Sequence, residues 1–168
     1  MSQQEIKGNL ARLLATENLV VEHRKVPTAQ FNVDSRVLTL PLWDLASNAV
    51  YDMLVGHEVG HALFTPNVDF REQVDCPKDF VNVIEDARIE KLMKRKYAGL
   101  RKSFAQGYTE LNNKDFFEVA DKDLSEFSLI DRINLHFKLG ATALVPFNGS
   151  EMVFVARTDQ AETFEEVL

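Results

Sequence analysis

A single cysteine, Cys76, stands among 168 residues. An internal disulfide is therefore excluded, and so is a metal site framed by thiolates. Any metal must be held by histidine and carboxylate. No run approaches the roughly 18 to 20 continuous apolar residues of a membrane span, and the opening MSQQEIKGNL lacks the basic-then-apolar order of a signal peptide. A cytoplasmic protein is expected. Excess positive charge is missing too: 19 Lys and Arg stand against 26 Asp and Glu, a formal charge of -7. That balance argues against a duplex nucleic acid or an anionic membrane as the main partner. Internal repeats and low-complexity linkers are likewise absent. What remains is 45% hydrophobic, enough at this length for a globular core.

Local pattern then supplies elements. Ser2 and Glu5 form a capping-box pattern ahead of Ile6, Leu10, Leu13 and Leu14, which predicts a helix over 3–17. Ala29, Phe31 and Val33 alternate with polar residues, Asp34-Ser35 offers a turn, and Val37, Leu38 and Leu40 follow, which reads as a β-hairpin. Ser47 is a plausible N-cap for a helix to about Phe64, closed by Thr65-Pro66. A second long helix is expected with Asp75 as cap and Pro77 in its first turn, stopping before Gly99. A mixed stretch with Tyr108 and Phe116-Phe117 precedes a helix from about Ser125 to Leu139, stopped by Gly140. Residues 151–156 fit strand or helix. Thr163 with Glu166 makes another capping box that opens a helix near the end at Leu168, which suggests a longer parent chain.

The stretch VGHEVGHALF, residues 55–64, carries the chemistry. On a helix, positions i and i+4 share a face with Cβ atoms about 5 to 6 Å apart, so His57 and His61 can converge on one ion. Glu58 points about 100° around the axis from His57, where a general base for a metal-activated water belongs. Zinc is the metal that this spacing suits, one ion per chain. The neighbours Val55, Gly56, Val59, Gly60, Ala62 and Leu63 are small or apolar, which suggests a buried helix. Gly56 and Gly60 are poor helix formers, so their presence suggests close approach by another backbone or by substrate. The bland alternative is an amphipathic helix with two hydrogen-bonded imidazoles.

A catalytic zinc usually takes a third protein ligand. In NVIEDARIEK the candidates are Glu85, Asp86 and Glu90. Glu85 borders the buried stripe and is the expected ligand, with Asp86 as a hydrogen-bond acceptor for a ligand imidazole or as the alternative ligand, and Glu90 further round. The competing reading of this helix is an ordinary solvated Glu/Arg network, with Glu85 beside Arg88.

HEVGH followed by NVIEDARIE resembles the glutamate-zincin metallopeptidases, and more closely the metallopeptidase-like domains of bacteria and tailed phages that are often joined to a von Willebrand A-type domain. Proteins of the cobalt-chelatase and nitric-oxide-reductase-accessory type carry a similar E-D-x-R-x-E segment. The resemblance covers residues 29 to about 110. It implies His57, His61 and Glu85 as ligands, Glu58 as base, and a hairpin edge strand that aligns an extended peptide; for a phage-encoded chain it implies the bacterial host cytoplasm. The sequence departs from the best-known glutamate zincins at Ile89, where those often place an Asp.

A strand edge can pair with a peptide main chain on physical grounds alone, and either Ala29–Val33 or Arg36–Leu40 could serve. The oxyanion needs a donor, for which Tyr108, His136 and Arg88 are candidates. His23, between Glu22 and Arg24, is expected at the surface. Six basic residues crowd into 91–102, leaving -13 for the rest of the chain. Helix-dipole compensation explains them, and an acidic partner or RNA docking there is the sharper alternative.

Together these features predict a mostly helical α+β, zincin-like fold, with a metal-binding core in 1–110 and a helical extension in 111–168. The expected activity is zinc-dependent cleavage of peptide bonds in a peptide or protein substrate. The alternative from another class is an inactive, zinc-stabilised scaffold for protein interaction. A third is a metal-free helical domain with an accidental motif.

Overall fold

A computed structural model of the chain describes residues 2–43 and 46–168. It is α+β and mostly helical, with six helices and a small three-stranded mixed sheet near the N-terminus. Helix α1 (Gln3–Ala15) opens on the Ser2–Glu5 capping box and ends two residues short of expectation, because Thr16 turns left-handed with its N–H on the Leu13 carbonyl. Strands β1 (Val20–Arg24), β2 (Gln30–Asn32) and β3 (Val37–Pro41) follow in the sheet order β1-β3-β2. The expected hairpin is β2 antiparallel to β3; β1, which local pattern did not reveal, runs parallel to β3 from Val20 opposite Val37. His23 accordingly lies on β1 rather than at an open surface, half-buried, with Nε2 lacking a partner among the described residues.

Helix α2 (Asn48–Phe64) forms the centre. Ser47 Oγ accepts from the Val50 N–H and sets its start, while Thr65 and Pro66 end it. Its buried residues surround it, and it touches α1, β2, β3 and the two helices that come next, α3 (Lys78–Lys96) and α4 (Leu100–Asn113). Leu38, Leu40, Val50, Val55, Val59, Met93 and Phe104 make the innermost core. The two α2 glycines do have close neighbours, but these are side chains of α3 and α4 rather than another backbone or a substrate. A Cβ on Gly60 would stand 2.8 Å from Ile89 Cδ1, and one on Gly56 would stand 3.3 Å from the Phe104 ring. Removing both methyl-sized bumps lets α3 and α4 close on the histidine-bearing turns.

Helix α3 starts after Pro77, not at an Asp75 cap, since Pro77 is extended (ψ 134°) and the first turn closes on its carbonyl. Helix α4 replaces the expected mixed stretch: Leu100, Phe104, Tyr108 and Leu111 line its buried face. Helix α5 (Leu129–Leu139) is capped by Ser128 and so starts later than the expected Ser125, and Gly140 at φ 77° stops it as predicted. Helix α6 (Met152–Gln160) settles the ambiguous 151–156 stretch as helix. The Thr163–Glu166 box forms but carries only turns. The expected boundary near residue 110 falls inside α4, and α5 packs on both α3 and α4. Among the described residues no helix is long and apolar enough to cross a membrane.

Candidate metal centre

His57 and His61 emerge one turn apart from the face of α2 that meets α3. Their rings lie 5.0 Å apart, edge to face. Each Nδ1 is held from outside. His57 Nδ1 donates to Glu90 Oε1 at 2.8 Å, since a carboxylate can only accept. His61 Nδ1 donates to Thr65 Oγ1 at 2.9 Å, because the single Thr65 hydroxyl proton goes to Glu85 at 2.5 Å. With both Nδ1 atoms tied outward, both Nε2 atoms face inward. They meet Asp86 Oδ1, at 3.6 Å from His57 and 3.2 Å from His61.

Three such atoms repel unless a proton or a metal ion joins them. Tetrahedral zinc with bonds of about 2.0 to 2.1 Å sets its ligand atoms about 3.3 Å apart, so the two distances to Asp86 suit that ion. One atom each of His57, His61 and Asp86 lie within 4.8 Å of one another, and this is the group among the described residues able to hold a metal. The three side chains keep 13, 19 and 21% of their surface exposed, whereas the supporting Glu85 and Glu90 keep 4 and 3%. The three side chains thus keep some exposed surface, and their supports almost none.

At the third position the structure sets Asp86, the alternative candidate, and not Glu85 against the two imidazoles. Glu85, the expected ligand, is clamped by Arg88, whose Nε and Nη2 donate to its two oxygens at 2.7 Å each. Arg88 also donates to the Phe64 carbonyl at the end of α2 and to the Glu162 carbonyl. Glu85 therefore steers His61 through Thr65 while Asp86, the alternative, faces both imidazoles. The Glu85–Arg88 pair exists, but buried rather than solvated.

Glu58 is buried to 6% exposure. Among the described residues none donates a hydrogen bond to it. Burial raises its pKa against the lowering pull of His57 and His61, the direction that suits a proton acceptor and donor in one. Tyr108, proposed as an oxyanion donor, does reach the cluster, but its hydroxyl is engaged with Glu90. Its pKa stands well above the ordinary value, because of burial and the Glu90 charge. His136 does not join: its ring lies edge-on against Phe137 and Phe147, at 5.1 and 5.6 Å. Lys138, two residues along α5 and unmarked by any motif, reaches in its place and donates to Asp86 Oδ2 at 3.0 Å. Glu90 was also missed as a support, although it lies one turn beyond Asp86 and so shares its face.

Electrostatics make the metal-free cluster cation-seeking. Burial alone would lower the His57 pKa, but Asp86 and Glu90 outweigh it and raise the group from 6.5 to about 9, with Lys138 opposing. Burial pulls Asp86 upward, and His57 and Lys138 override it to hold the carboxyl far below its ordinary range. A divalent ion must displace the His57 proton, so its affinity is expected to climb as pH rises from 6.5 towards 9 and then level off. Chelator-competition titrations across that window measure this; a flat profile would show that His57 gives up no proton.

The basic segment is largely spoken for. Arg95 and Lys91 pair with Glu162, Lys94 lies 3.7 Å from Glu90, and Arg101 donates to the Lys94 carbonyl. Comparison of the chain with protein-family models, curated proteins and solved structures finds no match.

Proposed function

We propose that the chain is a zinc-dependent hydrolase of peptide bonds, with His57, His61 and Asp86 as ligands and Glu58 as general base. The observation that carries this reading is the orientation of the donors. Both imidazoles are tied back at Nδ1, their Nε2 atoms and Asp86 Oδ1 converge, and the carboxylate of Glu58, next to His57, takes no hydrogen bond from the described residues. Bound zinc would supply a Lewis acid and lower the pKa of its water to about 7. Glu58 takes a proton from the attacking water at its carboxylate and passes it to the leaving amine as the C–N bond breaks. Glu90 and Thr65 keep the two rings in register throughout.

Substrate alignment falls to the sheet edge. Strand β3 is paired on both sides, so the 36–40 stretch is not available as an edge; among the described residues the outer side of β2 pairs no strand. The hairpin is tied to α2 by Arg36, which donates to the Ala62 carbonyl at 2.8 Å next to His61. An extended peptide added to β2 gains main-chain hydrogen bonds without needing a particular side chain.

Ligand assignment is tested by zinc titration of untagged protein. One equivalent is expected to bind the native chain, Asp86→Asn to lose more than about 100-fold in affinity, and Glu85→Gln to stay within about tenfold. Native affinity in Asp86→Asn, or no zinc bound by the native chain, would sink the site.

A further inference from the structure

One cation already stands inside this cluster. Lys138 comes from the last turn of α5, with 14% of its side chain exposed, and sets Nζ 3.0 Å from Asp86 Oδ2, 3.4 Å from Tyr108 Oη and 4.0 Å from Glu90 Oε1. The Asp86 carboxylate is thus divided: Oδ1 faces the two imidazoles and Oδ2 faces the ammonium. A buried ammonium is costly without paired carboxylates, and here Asp86 and Glu90 supply them. Lys94 approaches Glu90 as well, at 3.7 Å through Oε2, but from a more exposed position.

Two positive groups that share one carboxylate repel each other. We propose that Lys138 is a resident counter-cation of the metal site, a positioning residue that holds Asp86 by Oδ2 and whose charge keeps a divalent ion exchangeable. This rests on the reading of His57, His61 and Asp86 as ligands. Without metal, the ammonium keeps Asp86 and Glu90 from repelling each other and from drifting off the imidazoles. With metal, it stands on the far side of the Asp86 carboxylate, where water screens it poorly. The site then fills and empties with the free-metal concentration, and a carboxylate already fixed in place receives the ion.

The charge argument predicts an effect opposite in sign to damage. If holding Asp86 were its whole role, removing Lys138 would loosen that carboxylate and weaken metal binding. Removing a repelling charge does the reverse. Lys138→Met keeps the length of the side chain and deletes the charge, and is expected to bind zinc at least about tenfold more tightly than the native chain in a chromophoric-chelator competition. The metal-free variant should melt below the native protein and gain more on zinc addition. Lys138→Arg, which keeps the charge, should bind zinc as the native chain does. If metal-free Lys138→Met does not fold, zinc release to excess chelator from Lys138→Met and Lys138→Gln purified with zinc replaces the equilibrium measurement, and slower release than native is expected. Unchanged or weaker binding, or equal or faster release, overturns the proposal while leaving the metal site intact. A native chain that binds no zinc defeats the metal reading itself, a result distinct from either.

Discussion

Glu58→Gln is expected to reduce cleavage of unstructured proteins by about 100- to 10,000-fold, the usual contribution of a positioned acid–base group, while one zinc per chain stays bound. The substitution is nearly isosteric and breaks no hydrogen bond to a described residue, so little else should change. Stability should hold or rise. Burial raises the Glu58 pKa, so the fold disfavours its ionised form, and that penalty grows as pH rises above the ordinary 4.5. A neutral amide removes the penalty. Cleavage assays with both proteins, alongside thermal unfolding with and without zinc, separate the outcomes. Equal cleavage by the two would point to a contaminating protease. Zinc binding without cleavage by either would leave the chain as a metal-stabilised scaffold, in which His57→Ala loosens the fold and Glu58→Gln does nothing.

Much of this centre was legible because it is local. The i, i+4 pair His57 and His61, the Ser47 cap and the Thr65-Pro66 stop are written within one helix, and the glycines announce the helix crossings that bring α3 and α4 close. The unread parts depend on distant chain. Strand β1 exists through parallel pairing with β3, a partner 17 residues on that its own five residues do not specify. Helix α4 hid its Leu100–Phe104–Tyr108–Leu111 stripe behind Gly107 and a cluster of cations. Glu85 and Asp86 lie about 100° apart on the helix axis, and both border the apolar face. What separates them is Arg88, one turn on, whose guanidinium claims Glu85 and leaves Asp86 for the histidines. Lys138 comes from 52 residues away on a helix with no motif. The sequence could offer a lysine near the end of α5, but not the cluster into which it folds.

Arg88→Met is expected to destabilise the protein by about 3–5 kcal/mol, the usual consequence of removing one partner from a buried ion pair. Both Arg88 and Glu85 keep only 4% of their side-chain surface, so Glu85 would be left as an uncompensated buried charge. The loss extends beyond the pair. The Phe64 carbonyl is one of the unpaired acceptors at the end of α2, and the Glu162 carbonyl belongs to the segment that follows α6; Arg88 donates to both. One guanidinium therefore fastens the histidine helix, the carboxylate helix and the C-terminal segment together. Urea unfolding of the metal-free protein measures the loss, and a change below about 1 kcal/mol would show that the pair is not integral to the fold. The double variant Arg88→Met, Glu85→Met separates charge from packing. Replacing both partners by apolar groups removes the stranded charge, so much of the stability should return. Zinc affinity should not return with it, because Thr65 would have lost the acceptor that directs its hydroxyl proton away from His61. A variant that recovers its stability but still binds zinc more weakly than native would assign Glu85 to aiming His61, two hydrogen bonds away through Thr65, instead of touching the metal as first expected.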